Sequence, residues 1–100
     1  MGTSCFGPKR VPYVSEGNII KVNIRADTEN YQKQIRIPDA NTLRKAIIIY
    51  QEQISKENLY IKKAVIENDL TELPLDTPLN EINIDFNRVI IVTLKSYNIL

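Results

Sequence analysis

At 100 residues the chain has room for one domain whose single core buries roughly 60 to 70% of its unfolded surface, and a second domain does not fit. Apolar content of 43% and charged content of 25% are ordinary for a globular chain, and no apolar run approaches the ~18 residues of a membrane span. The net charge of +1 conceals an asymmetry: residues 1 to 45 carry eight Lys/Arg against four acids, and residues 46 to 100 carry five against eight. One half therefore favours acidic partners. The basic residues are not interleaved with stacking aromatics and the chain has no Trp, so nucleic acid is not expected as a partner. Cys5 is the lone cysteine, which rules out an intrachain disulfide and fits a reducing, cytoplasmic setting. The first ten residues lack the apolar stretch of a secretory signal.

Residues 1 to 17 hold all three glycines and two of the five prolines without periodicity, and they read as a flexible leader that adds nothing to the core. The folded domain is expected over residues 18 to 96, with 97 to 100 as a tail. From Asn18 the segment NIIKVNIRAD alternates, with Ile20, Val22 and Ile24 on one face and Lys21, Asn23 and Arg25 on the other. After the polar turn ADTEN, YQKQIRIP returns as the second strand of a hairpin, with Ile35 and Ile37 inward and Gln34 and Arg36 outward. Pro38 ends that strand because it has no N–H to donate, and Asn41 or Thr42 is the expected N-cap of a helix.

In TLRKAIIIYQEQISKEN, residues Leu43, Ala46, Ile47, Tyr50 and Ile54 share one helical face, and Asn58 suits a left-handed C-terminal cap. Ile48 and Ile49 fall off that face. LYIKKAVIE predicts a third strand, LTELPL a short fourth strand or a turn, and RVIIVTLK the last strand with Ile90, Val92 and Leu94 inward. The expected class is α+β, a mixed sheet with one helix packed across it in the order β-β-α-β-β-β.

That order, together with IPDANTLRKA at the strand-to-helix corner, ISKENL at the helix exit and TPLNEINIDFNRVIIVTL with Leu79 and Ile84 at core spacing, resembles the ubiquitin-like (β-grasp) superfamily over about Ile19 to Lys95. More weakly, the chain is similar to the Ras-binding and Ras-association branch of that fold. The resemblance implies a β-grasp roll. A conjugated modifier of this family ends in diglycine whereas this chain ends SYNIL, so conjugation is not expected. Ubiquitin recruits partners through an apolar patch on the solvent face of its sheet, for which the resemblance offers Ile66 and Ile91. Ile91 points opposite to Ile90 and Val92 by strand alternation, whereas Ile66 either joins that patch or packs into the core in a shifted register.

Catalysis is not expected. The chain has no histidine, Cys5 has no partner base, and the three glycines, all before Asn18, cannot build a phosphate cradle. The acids of ENDLTE and DTPLNE lack calcium-loop spacing and fit solvated turns, so neither a metal nor a cofactor is expected. The start MGTSCFGPKR resembles an N-myristoylation signal, with Gly2 and Cys5 as candidate lipid sites and Lys9 and Arg10 for anionic lipid, although Phe6 stands where Ser or Thr is usual. Membrane association would depend on that lipidation.

Three functional readings follow. The first is a non-catalytic protein-interaction domain, an adaptor or scaffold module. The second is a Ras-family small-GTPase effector domain, in which the second strand pairs edge-to-edge with the GTPase and Lys21, Arg25, Arg36, Arg44 and Lys45 meet its acids. Arg44 and Lys45 sit beside the positive end of the helix dipole, a local cost of ~0.3 to 1 kcal/mol each that invites either a functional explanation or simple screening by solvent. The third is self-assembly, with Ile48 and Ile49 buried against a second copy.

Overall fold

The computed structural model describes residues 11–97. Strand β1 (Ile19–Ala26) forms an antiparallel hairpin with β2 (Lys33–Pro38), and helix α1 (Leu43–Gln53) follows. Strand β3 (Leu59–Ile66), a 3-10 turn over Leu79–Glu81 and strand β4 (Val89–Ser96) complete the order. The four strands make one mixed sheet in the order β2-β1-β4-β3, in which β1 and β4 run parallel and β3 and β4 antiparallel. The class is α+β, as the alternation and helical spacing predict.

Alternation fixes which face is buried. Val22, Ile24 and Ala26 of β1, Ile35 and Ile37 of β2, Ala64 and Ile66 of β3, and Ile90 and Val92 of β4 form the inner face, covered by Leu43, Ala46, Ile47 and Tyr50 of α1. Leu79 enters the same core from the 3-10 turn, and Ile84 packs beside it half-buried. Tyr50 ties the helix to the sheet, because its hydroxyl oxygen accepts the Ala26 N–H at 2.7 Å. Burial raises the Tyr50 pKa above its ordinary value, only partly offset by that bond.

Several expectations are corrected. LTELPL does not form a strand: Glu72 makes a single bridge with Val65, Leu73 N–H donates to the Ala64 carbonyl at 2.8 Å, and Pro74 has no N–H with which to continue the pairing. The observed order is thus β-β-α-β-β. The helix ends at Gln53, not Asn58, and the left-handed residue is Ser55 at φ 60°. Lys56 N–H bonds the Gln51 carbonyl at 2.8 Å and Ser55 N–H the Glu52 carbonyl at 3.3 Å, a Schellman closure. The buried Gln51 side chain reinforces this exit by donating to the carbonyls of Lys56 and Leu59 at 3.0 and 2.8 Å.

Thr42 is the N-cap, its hydroxyl accepting the Lys45 N–H at 3.2 Å. Asn41 does other work. It is 1% exposed, and its side chain accepts from Val14 N–H at 2.7 Å while donating to the carbonyls of Val14 at 2.6 Å and Pro38 at 3.0 Å. Residues 11 to 17 were expected to stand apart from the domain, yet this one side chain satisfies both backbone groups of Val14 and fixes the segment to the β2–α1 corner. Gly17 adopts φ 106° there, and a Cβ on it would collide with the Asp39 carboxylate. Asn18 and Asp39 complete the junction, with Asp39 N–H donating to the Asn18 carbonyl at 2.9 Å and Asn18 N–H to the Asp39 carboxylate at 3.0 Å. No helix among the described residues is long and apolar enough to cross a membrane.

Candidate functional site

The outer face of the sheet follows from the same alternation. Register places Lys21 directly opposite Arg36, Asn23 between Gln34 and Val89, and Ile91 between Arg25 and Val65. Lys63 lies opposite Thr93 and Tyr60 opposite Lys95. Ile91 and Val65 are thereby the half-buried centre of a face whose cations are Lys21, Arg25, Arg36, Lys63 and Lys95.

Among the described residues one carboxylate answers them. Glu67, just beyond β3, approaches Arg25 at 3.6 Å, and Arg25 also donates to the Glu29 carbonyl at 2.9 Å. Lys21 and Arg36 form no ion pair among the described residues, and both are exposed. Like charges placed directly across an antiparallel pair repel, so this pair is a local cost that an acidic surface would remove. A half-buried aliphatic pair on a face that also carries these cations suits a protein partner with a negatively charged surface.

The sequence-predicted basic residues do not form one cluster. Lys21, Arg25 and Arg36 share the outer sheet face, whereas Arg44 and Lys45 stand on the first turn of α1, which packs on the opposite face. Arg44 binds Asp76 through two hydrogen bonds, Nε to Oδ1 at 2.7 Å and Nη2 to Oδ2 at 3.0 Å. The bond to Asp76 raises the Arg44 pKa against the opposing effect of burial, and the carboxylate offsets the dipole cost that the sequence implied there. Both Arg44 and Lys45 border a groove of about 630 Å³ between α1 and the start of β3, together with Ile48, Leu59 and Ile61.

Of the apolar candidates, Ile91 is on the solvent side and half-buried, as its alternation predicts. Ile66 is not: at 5% exposure it belongs to the core, because the bulge between Ile61 and Lys63 shifts β3 so that Ala64 and Ile66 turn inward. Ile49 packs against the core rather than forming an outer patch, and Ile48 lines the groove. The candidate lipid sites Gly2 and Cys5 lie outside the described residues.

Sequence reasoning missed Val65, Lys63 and Lys95 as members of the sheet face. The signal for Lys95 was present, since it shares parity with Ile91 along VIIVTLKS. That for Lys63 and Val65 was hidden by the bulge, which breaks the two-residue period within LYIKKAVI. Among the described residues no group of three or more His, Cys, Asp or Glu side chains is placed to hold a metal ion.

Comparison of the chain with protein-family models, with curated proteins and with solved structures returns no match.

Proposed function

We propose that this chain is a non-catalytic protein-interaction module of the ubiquitin-like, β-grasp kind, an adaptor or scaffold domain that presents the outer face of its sheet to a partner protein with an acidic surface. The observation that carries this reading is the exposed Lys21–Arg36 pair, like charges in direct register on the same sheet face as the half-buried Ile91 and Val65. Support for the β-grasp assignment comes from the hairpin, the single helix after it and the parallel contact between the first and last strands at the centre of the sheet. A second reading, a Ras-family small-GTPase effector, draws on one further observation: β2 is an edge strand of the sheet, and Arg36 is carried on it.

The test is a pull-down with wild type, Lys21→Glu/Arg36→Glu and Ile91→Asp at low and high salt, including small GTPases loaded with GDP or GTP. The proposal expects a partner lost with both variants and weakened by salt. GTP-dependent capture of a GTPase would move the effector reading ahead. Partners retained by both variants, with each variant folded, would refute the sheet face as the binding surface.

A further inference from the structure

Leu70 is 94% exposed, and the turn that carries it is tightly bonded. Asn68 takes φ 69°, Asp69 N–H donates to the Ile66 carbonyl at 2.8 Å, and the Asp69 carboxylate accepts the Thr71 N–H at 3.0 Å. Two residues on, Leu73 N–H is anchored to the Ala64 carbonyl. The backbone on both sides of Leu70 is thus fixed, and it holds an aliphatic side chain out in water, where its burial free energy is forgone. Asp69 and Glu72, also exposed, flank it.

The groove between α1 and β3 has the complementary character. Val11, Ile48, Leu59 and Ile61 are its aliphatic lining, and Tyr60 and Tyr97, with ring centroids 5.3 Å apart, close one side. Lys45 stands on the first turn of α1 and Glu52 seven residues later, about 10 Å further along the helix, with Glu57 beyond. The groove is therefore positive at one end and negative at the other.

Knob and groove lie at opposite ends of β3. Tyr60 to Ile66 alone spans about 20 Å of extended strand, and Leu70 lies beyond Ile66, so the leucine cannot reach the groove of its own molecule. We infer that Leu70 inserts into the α1–β3 groove of a second copy of this chain, with its flanking Asp69 and Glu72 directed toward Lys45. Charge sets the orientation. An acidic tip is drawn to Lys45 at the positive end of the helix, and Glu52 and Glu57 repel it if it is turned around. Because the two surfaces differ, a pair retains one free groove on the molecule whose knob is inserted and one free knob on the molecule that receives it. The contact is head-to-tail and propagates into a filament unless its rotation closes a ring. It uses neither Lys21, Arg36 nor Ile91, and it stands or falls apart from the sheet-face reading.

The test is sedimentation velocity on the full chain from micromolar to millimolar concentration. The expected result is an average mass that rises with concentration, and reversion to monomer with either Leu70→Asp, which removes the knob, or Ile48→Glu, which removes the groove. Mixing these two variants restores one contact per pair, so the mixture forms a heterodimer and nothing larger. Lys45→Glu reduces the association constant by about tenfold, and pairing it with a Glu72→Lys copy recovers part of the loss. Thermal melts report whether each variant is folded, and if Ile48→Glu lowers the melting temperature, the groove is tested instead by the weakening with Lys45→Glu and its partial recovery with Glu72→Lys. A wild-type chain that stays monomeric throughout leaves the groove to some other occupant and overturns the inference. Assembly that survives Leu70→Asp also overturns it, as does a mixture of folded variants that remains monomeric.

Discussion

Replacing Asn41 with alanine removes three hydrogen bonds made by one buried side chain, two to Val14 and one to the Pro38 carbonyl. At about 0.5 to 1.5 kcal/mol net for each bond, the loss is about 2 to 3 kcal/mol once water has reached the half-buried Val14 groups. The Pro38 carbonyl keeps one partner, the Asn41 N–H at 3.1 Å, which limits the cost at that end. For a domain of this size the melting temperature should fall by about 10 to 20 °C. Deleting residues 1 to 15 removes Val14 and two of the same bonds but opens the Asn41 amide to water, so its expected cost is smaller, about 1 to 2 kcal/mol. The two changes share partners and should not add: a double-mutant cycle by urea unfolding is expected to show a coupling of about 1 kcal/mol. If Asn41→Ala is nearly silent, or if its cost is the same with and without residues 1 to 15, the link between this segment and the core is energetically empty and the reasoning fails.

Tyr50→Phe strands the buried Ala26 N–H, and urea unfolding should register a loss of about 1 to 3 kcal/mol together with faster amide exchange at Ala26; unchanged exchange there would contradict the bond. Ile90→Ala and Leu43→Ala, both at fully buried positions, are each expected to cost about 2 to 5 kcal/mol, and near-neutral values at both would refute the assigned core. Hydrogen bonds from the Thr71 backbone and then its side chain hold the Asp69 carboxyl below its ordinary value. Its folded pKa is depressed, so its contribution to stability is present above the unfolded value and disappears as the pH falls through the folded one. An NMR titration of Asp69 with a midpoint at or above the ordinary carboxylate value would show that the Leu70 turn is not bonded in this way.

Local pattern was enough for β1, β2, β4 and the helix because each has one buried face. The two-residue period of NIIKVNIRAD and RVIIVTLK set which side chains turn inward, and the 3.6-residue spacing of Leu43, Ala46, Ile47 and Tyr50 set the helical face, since burial acts on each position independently of what lies opposite. The same parity placed Lys21, Arg25, Arg36 and Ile91 on the solvent side. What the sequence could not determine is which of those side chains meet. The direct Lys21–Arg36 opposition and the Arg25–Ile91–Val65 row depend on register between strands, and the inward turn of Ile66 depends on a bulge that adds one residue to β3 without a compositional mark. Only the fold brings Asp76 to Arg44 across 32 residues of chain and Val14 to Asn41 across 27, because the partner of a polar group is chosen by where the backbone returns. The separation of Leu70 from the groove it could fill is of the same kind: β3 joins them in sequence, and its extended length keeps them apart in space.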